Sequence, residues 1–256
     1  MIIYEKIDSV GKIILNRPEK YNSFIREMAL ALQDNLAQCE ADDTIRCILL
    51  TGEGKAFCAG QDLKEAIDPE GPEIEKIVRE HYNPIIQKIR DLGKPVIAAV
   101  NGVAAGAGAN LALACDIVIA TQSANFIQAF SKIGLIPDSG GTYFLPRLIG
   151  LPKAAAIMMT GEPVSAENAE KMGMIYKVFE DKDFVEKSLD LAKTISVMPT
   201  KGLAFTKHLL NQSMTNSLEK QLTAEVKYQV YAANTEDHKE GVQAFLEKRK
   251  PVFNGK

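Results

Sequence analysis

The sequence predicts an α/β fold that continues into a helical C-terminal part, and two patterns in its 256 residues support this prediction. Short apolar runs at Ile45–Thr51, Pro95–Val100 and Asp116–Ala120 are rich in β-formers and typical of buried strands. Helical or glycine-rich stretches separate these runs, and repeated strand-then-helix units favour several parallel strands. After Pro152, helical patterns dominate the chain.

The N-terminal elements follow from local signals. Ile2–Ile7 and Val10–Leu15 are predicted to form a hairpin. Ser23 is the predicted cap of a helix that runs to about Cys39. A second amphipathic helix is expected around residues 73–92.

The remaining elements are a glycine/alanine loop and a series of helices. The loop, Gly102–Gly108, leads into a helix of small residues, Asn110–Cys115. Six helical stretches are predicted after Pro152: Lys153–Thr160, Ala166–Met172, Phe184–Ser196, Thr200–Ser213, Ser217–Ala233 and Thr235–Lys248.

Composition and charge exclude several classes of protein. Lys and Arg number 30 against 33 Asp and Glu, so no basic excess supports nucleic-acid binding. No apolar run approaches the roughly 18 residues that span a bilayer, so no membrane association is expected. The four cysteines are scattered and the three histidines lie far apart, which indicates reduced thiols and no metal site. Since the N-terminus lacks the features of a signal peptide, we expect a cytoplasmic protein.

Two segments leave strands through residues with small side chains, at Gly54–Leu63 and Asn101–Asn110. Such turns expose backbone N–H groups, and a following helix N-terminus adds partial positive charge. Two N–H groups that converge from these turns would form an oxyanion hole, which stabilises a thioester carbonyl as it becomes an enolate. Close packing alone is the alternative explanation for both segments.

A third segment, Ile133–Thr142, carries the candidate acid/base. Asp138 lies among apolar neighbours, directly before glycines that open a helix. It has two interpretations: the N-cap of that helix, or a carboxylate whose basicity is raised by apolar surroundings.

Several motifs, in order and almost from end to end, together resemble the crotonase (enoyl-CoA hydratase/isomerase) superfamily. They are Leu15–Pro18, Ala56–Leu63, Asn101–Gly108, Gly134–Thr142, Ser165–Ala169 and Phe245–Pro251.

The resemblance implies a crotonase-like spiral of ββα units in residues 1–195, with the site for a coenzyme A thioester. It implies a helical oligomerisation segment in residues 196–256, which builds a homotrimer or a dimer of trimers. The backbone N–H groups of Gln61 and Ala107 would form the oxyanion hole. The substrate would be an acyl-CoA thioester; coenzyme A is then part of the substrate, and no separate cofactor is expected.

Departures from the family pattern narrow the expected reaction. Hydratases of this family carry two glutamates where this chain has Asn110 and Phe130. Asp138 falls where dienoyl-CoA isomerases and 4-chlorobenzoyl-CoA dehalogenases have a functional aspartate. The segment Lys132–Thr142 looks most like the isomerases of phenylacetate degradation, so Asp138 is the predicted catalytic residue.

The resemblance also predicts a set of substrate-binding residues. They are Ala59, Asp62, Lys64, Tyr82, Asn110 and Phe130. Arg17 and Lys20 are further candidates for contact with the phosphates of coenzyme A.

The leading hypothesis is an isomerase that moves a double bond or opens a ring epoxide of an acyl-CoA. The alternatives are an enoyl-CoA hydratase that adds water, and a non-catalytic subunit that binds CoA thioesters. A dehalogenase ranks lower, because those enzymes have a histidine where this chain has Asn83.

Overall fold

The computed structural model describes residues 1–256, which form two β-sheets with helices around and after them. The ten strands are β1 (Ile2–Ile7), β2 (Val10–Leu15), β3 (Cys47–Gly52), β4 (Ala56–Cys58), β5 (Val96–Val100), β6 (Val103–Ala105), β7 (Ile117–Thr121), β8 (Asn125–Ile127), β9 (Pro163–Ser165) and β10 (Lys177–Phe179). The larger sheet has the order β1-β2-β3-β5-β7-β10, and the smaller has the order β4-β6-β8-β9.

Successive strand pairs alternate between the two sheets. β3, β5 and β7 lie side by side and parallel in the larger sheet, and the strands that follow them, β4, β6 and β8, lie parallel in the smaller one. Helical segments then return the chain to the larger sheet. This arrangement is the crotonase-like spiral of ββα units that the sequence predicts, and it aligns the ends of β4 and β6 at one edge.

Twelve α-helices surround and follow the sheets. They are α1 (Arg26–Ala41), α2 (Leu63–Ala66), α3 (Ile74–Lys76), α4 (Asn83–Asp91), α5 (Ala107–Leu113), α6 (Gly141–Ile149), α7 (Leu151–Thr160), α8 (Ala166–Lys171), α9 (Phe184–Ser196), α10 (Thr200–Ser213), α11 (Leu218–Ala233) and α12 (Glu236–Leu246). Short 3-10 helices lie at Pro18–Lys20 and Ala129–Ile133, and a π-helix lies at Ile77–Tyr82.

The predicted hairpin is confirmed, but the first helix begins later than predicted. β1 and β2 pair antiparallel from Ile2 opposite Leu15 to Ile7 opposite Val10. Helix α1 starts at Arg26, with Ile25 in place of Ser23 as the preceding cap residue. The reason is tertiary: the N–H of Phe24 donates to the carbonyl of Gly60, which keeps the chain extended.

The helix predicted around residues 73–92 is divided into three parts by the π-helix. Pro84 explains the change, because it has no amide hydrogen and its ring clashes with the carbonyl four residues earlier in a regular α-helix. A wider turn ahead of α4 avoids both problems. Ile77 and Tyr82, five residues apart, consequently face the same cavity.

Two hydrophobic cores hold the layers together. The larger core fills the space among the two sheets and helices α1, α4 and α5, and includes Phe57, Leu50 and Leu111. A smaller core packs the other face of the larger sheet against α9, through Phe184 and Ala192.

Helices α10 to α12 follow the sheets and attach to them through a few buried polar contacts. The Lys207 ammonium is 7% exposed; it donates to the carbonyl of Ile89 at 2.6 Å and pairs with Asp116 at 2.8 Å. Arg46 donates to the carbonyl of Phe253 at 2.7 Å, near the C-terminus. None of the helices combines the length and the apolar character needed to cross a bilayer.

Candidate active site

A cavity of about 470 Å³ opens where the ends of the smaller sheet meet α2, the π-helix and the loop before α6. The structure brings together eight of the nine site residues predicted from the sequence. The eight that line the cavity are Ala59, Gln61, Asp62, Lys64, Tyr82, Ala107, Phe130 and Asp138.

The turn after β4 approaches the turn after β6 closely at Gly60. Gly60 has φ +87°, and a Cβ at this position would lie 3.0 Å from the carbonyl oxygen of Ala105. The next residue, Gln61, is bridged to Phe24: the N–H of Phe24 donates to Gly60 and the N–H of Asp62 donates to Phe24. These two bonds flank Gln61 and leave its own N–H outside the bridge.

The turn after β6 ends at the N-terminus of α5. Gly106 has φ +54°, a conformation that favours glycine, and Ala107 is the first residue of the helix. The N–H of such a residue has no acceptor within its helix. A Cβ at Gly108 would lie 2.3 Å from the carbonyl oxygen of Cys58, so α5 packs directly on β4. Glycine at three places therefore brings the Gln61 and Ala107 turns together at the cavity.

Asp138 lies in the loop before α6 and is partly buried. Its side chain does not cap the helix: the cap residue is Gly140, which has φ +76°, and no side chain bonds to the first turn. Burial raises the pKa of Asp138, while a hydrogen bond from the Ser139 hydroxyl at 2.9 Å opposes that rise. A partly desolvated carboxyl with a raised pKa is suited to accept and return a proton near neutral pH.

The structure does not bring Asn110 to the cavity surface. This residue is fully buried in α5, one turn after Ala107. Its side-chain nitrogen donates to the backbone carbonyl of Asp138 at 2.8 Å, and its oxygen accepts from Gln128 at 2.7 Å. Asn110 therefore lies behind Asp138 and contacts its backbone, with both amide atoms occupied by protein groups.

Asp62 is the second carboxylate of the cavity wall, and its oxygens are engaged. One oxygen accepts from Arg17 at 3.0 Å, and the other accepts from the N–H of Lys64 at 3.1 Å, which caps α2. Burial alone would raise the pKa of Asp62, but the hydrogen bonds from Arg17 and Lys64 bring it below its ordinary value. This carboxylate joins two loops and stays ionised.

A chain of hydrogen bonds lies along the wall beside α2. The Tyr82 hydroxyl donates to the side-chain oxygen of Gln61 at 3.2 Å, and the Gln61 amide nitrogen donates to Glu65 at 2.8 Å. The same carboxylate accepts from the N–H of Arg26 at 2.9 Å. Burial raises the pKa of Tyr82 well above its usual value, so its hydroxyl keeps its proton.

Exposed lysines and apolar side chains surround the mouth. Lys20, Lys64 and Lys132 line it and are exposed to solvent. Ile133 and Leu135 add apolar surface that is 52% and 44% exposed. Sequence reasoning missed Lys132 as a site residue, because it lies in a 3-10 helix that no pattern indicated.

Comparison with known proteins agrees with this architecture. The Enoyl-CoA hydratase/isomerase family model matches residues 5–256. The 1,2-epoxyphenylacetyl-CoA isomerase of Escherichia coli (strain K12) is 50% identical over 250 residues, which cover 96% of this chain and 95% of that protein.

Two solved structures share the fold over nearly their whole length. An enoyl-CoA hydratase from Polaromonas sp. JS666 has a TM-score of 0.91 at 35% identity and covers 98% of this chain and 99% of its own. An enoyl-CoA hydratase from Bacillus anthracis has a TM-score of 0.92 at 35% identity, with 100% and 99% covered. The chain therefore belongs to the enoyl-CoA hydratase/isomerase family.

Proposed function

We propose that this protein is an acyl-CoA isomerase that shifts a double bond, or opens a ring epoxide, in an enoyl- or aryl-CoA thioester. One observation carries the proposal: of the two carboxylates that line the cavity, Asp62 is bound by Arg17 and the N–H of Lys64, and Asp138 remains for proton transfer. One free carboxylate is sufficient for an isomerisation, because the proton that it removes is the proton that it returns.

The proposed reaction on a 3-enoyl-CoA begins at the α-carbon. Asp138 takes the α-proton, the electrons of that C–H bond form the dienolate, and the thioester oxygen gains negative charge. The double bond moves to the 2-position as Asp138 returns its proton to the γ-carbon. Atoms balance without water or a separate cofactor, so substrate and product have equal mass.

The dienolate oxygen needs hydrogen-bond donors that are fixed before the reaction. The N–H groups of Gln61 and Ala107 fit this role, since neither is used by the bridge or the helix that holds its turn. The partial positive charge at the N-terminus of α5 adds to their effect.

The mouth of the cavity suits the rest of the thioester. Lys20, Lys64 and Lys132 present positive charge for the phosphates of coenzyme A, while the apolar lining receives the acyl group. The 50% identity with a 1,2-epoxyphenylacetyl-CoA isomerase supports an aromatic or ring-derived acyl group.

Hydration of a 2-enoyl-CoA is the competing reaction, and the names of the related structures favour it. It requires a group that orients and deprotonates water in addition to one that handles the proton at the α-carbon. Phe130 offers no such group, and the side chain of Asn110 is occupied behind the cavity wall. These contacts support isomerisation over hydration.

The decisive experiment supplies a 3-enoyl-CoA and crotonyl-CoA separately and identifies the products by chromatography and mass spectrometry. Isomerisation gives a conjugated product of equal mass, which Asp138→Asn abolishes and the exposed control Asp34→Asn retains. A product from crotonyl-CoA that is heavier by one water, without isomerisation, would identify a hydratase. Binding without turnover of either compound, or of a ring-epoxidised aryl-CoA, would identify a binding subunit.

We also propose that the C-terminal helices assemble a homotrimer or a dimer of trimers. One face of α11 carries apolar side chains at four-residue spacing that are more than half exposed: Leu218, Leu222, Val226 and Val230. Replacing Leu222 and Val226 by glutamate should lower the mass measured by light scattering to that of a monomer. The exposed Val185→Glu on α9 is the control that should leave the assembly intact.

A further inference from the structure

We propose that Asn110, supported by Gln128, is a positioning residue that holds the backbone of Asp138 so that its carboxylate faces the cavity. The inference rests on the proposed function, because it assigns a purpose to the orientation of the acid/base. Its basis is a line of three buried or partly buried groups, joined by hydrogen bonds of 2.7 and 2.8 Å.

The loop that carries Asp138 needs an external support. Ser139 has φ +51° and Gly140 has φ +76°, so two successive residues adopt the left-handed conformation. This conformation is unfavourable for serine, and Ser139 is 2% exposed. Strain of this kind persists only where surrounding contacts fix the backbone.

Asn110 supplies that contact at the carbonyl of Asp138. The same oxygen also accepts from the N–H of Gly141 at 2.8 Å, so both of its lone pairs are used. Space for the contact depends on glycine, since a Cβ at Gly141 would lie 2.3 Å from the Asn110 side-chain nitrogen. The loop, the start of α6 and α5 therefore meet at one amide group.

The carbonyl of Asp138 can only accept, so it determines which way the Asn110 amide faces. Gln128 supports that orientation from the other side. It is 3% exposed, and its nitrogen donates to the Asn110 oxygen. A reversed Gln128 would place two carbonyl oxygens against each other, so the Gln128 nitrogen faces the Asn110 oxygen and stabilises the orientation that the Asp138 carbonyl requires. Gln128 keeps this orientation although its own oxygen is buried without a protein partner.

The hydrogen bonds from Gln128 to Asn110 and from Asn110 to Asp138 also connect the proposed acid/base with the proposed oxyanion hole. Asn110 lies three residues after Ala107 in α5, so the side chain that holds Asp138 and the N–H that faces the oxyanion belong to one helical turn. Movement of Asp138 relative to Ala107 would then require loss of the Asn110 contact.

The test measures kcat and KM for isomerisation by three variants, each normalised to folded protein. Asn110→Leu removes the donor at similar volume, and we expect kcat to fall about 100-fold while KM stays unchanged, as for a small misplacement of a catalytic group. Gln128→Leu keeps the donor but loses the support for its orientation, and should cause a smaller loss. The control Asn211→Leu removes a similar bond to the carbonyl of Arg90, outside the cavity wall, and should leave kcat unchanged.

Asn110→Asp provides a readout that a purely structural role would not change. The introduced carboxyl can donate to the Asp138 carbonyl when it is protonated but not when it is ionised. Its activity relative to the wild type should therefore fall as the pH rises, whereas a higher pKa of Asp138 beside the new carboxyl would act in the opposite direction.

Wild-type kcat in folded Asn110→Leu would overturn the inference. If that variant does not fold, wild-type kcat in Gln128→Leu together with a pH-independent wild-type kcat in Asn110→Asp would overturn it. Asp138→Asn separates the two proposals. If Asp138→Asn retains isomerisation, the proposed function fails; if it is inactive while the Asn110 variants keep wild-type kcat, only the positioning role fails.

Discussion

The hydroxyl of Tyr82 donates to the side-chain oxygen of Gln61, and the geometry around this pair fixes which group donates. Glu65 can only accept, so the Gln61 nitrogen faces Glu65 and its oxygen faces Tyr82. Tyr82 must then give its hydrogen to Gln61, which leaves an oxygen lone pair for a donor in the cavity.

Tyr82→Phe tests the contribution of this pair. The Gln61 oxygen loses its partner, so we expect the free energy of unfolding to fall by about 1 kcal/mol. Because the N–H of Gln61 is a proposed oxyanion donor, kcat should also fall, by roughly three- to tenfold. Urea denaturation and steady-state kinetics measure the two effects. Tyr176→Phe, at a tyrosine that is 65% exposed, is the control; wild-type kcat in Tyr82→Phe would contradict the expectation.

Ser139→Ala tests the electrostatics of Asp138. Burial raises the pKa of this carboxyl and the Ser139 hydroxyl opposes the rise, so removal of the hydroxyl should raise the pKa further. Since only the ionised form accepts a proton, the acidic limb of kcat/KM should move to higher pH. Ser165→Ala, which removes the cap of α8, should leave that limb in place.

Asp138→Asn should make the fold more stable at neutral pH. A carboxyl whose pKa is raised by folding disfavours the folded state when it ionises, above its folded-state pKa. The amide removes that penalty, so the gain in unfolding free energy should be present at pH 7. It should disappear as the pH falls below about 3.9, the ordinary pKa of aspartate. Denaturant titrations at several pH values test this, and a gain that does not change with pH would exclude an electrostatic origin.

Gly60→Ala tests the close approach of the two turns. Alanine at a positive φ raises the conformational energy of the folded state by about 1 kcal/mol. It also places its Cβ 3.0 Å from the carbonyl oxygen of Ala105. Gly134→Ala is a matched control, since Gly134 has φ +71° and no atom lies within 4 Å of its added Cβ. We expect both variants to lose stability and Gly60→Ala alone to lose kcat by more than tenfold. Equal kcat in both would show that the approach of the turns is not needed for catalysis.

Lys20→Glu combined with Lys132→Glu tests the mouth of the cavity. Exposed charges contribute roughly 0.5 kcal/mol each, and their reversal adds repulsion, so KM for an acyl-CoA should rise about tenfold while kcat changes little. The difference should shrink at high salt, because salt screens exposed charges. Lys153→Glu, at an exposed lysine outside the cavity, is the control.

The sequence predicted elements whose patterns are local. The hairpin has the bounds Ile2–Ile7 and Val10–Leu15 as predicted, and α9 and α10 also match. Strands β4, β6, β8, β9 and β10 were missed as elements, because three residues are too few to show alternation. The second sheet therefore emerges only from pairing between distant segments.

Prediction of the candidate site from the sequence was also limited to local patterns. Glycine-rich turns and an aspartate before glycines are visible in a sequence, and they lie together at the cavity. The occupied state of Asp62 depends on Arg17, 45 residues earlier, and the contact of Gln128 with Asn110 spans 18 residues. Spacing within a motif carries no information on such partners, so Gln128 was not recognised.

The π-helix makes the cavity wall at Ile77 and Tyr82 depend on helix pitch as well as on residue type. Ile77 and Tyr82 face the cavity together because six residues here form a turn wider than an α-helical one. In an ordinary α-helix, residues five apart lie about 140° from each other around the helix axis, so the wider turn is what places Tyr82 on the same side as Ile77. A substitution that returned this stretch to α-helical pitch without changing its length would turn Tyr82 away from the cavity, so the shape of this wall depends on helix pitch as well as on its side chains.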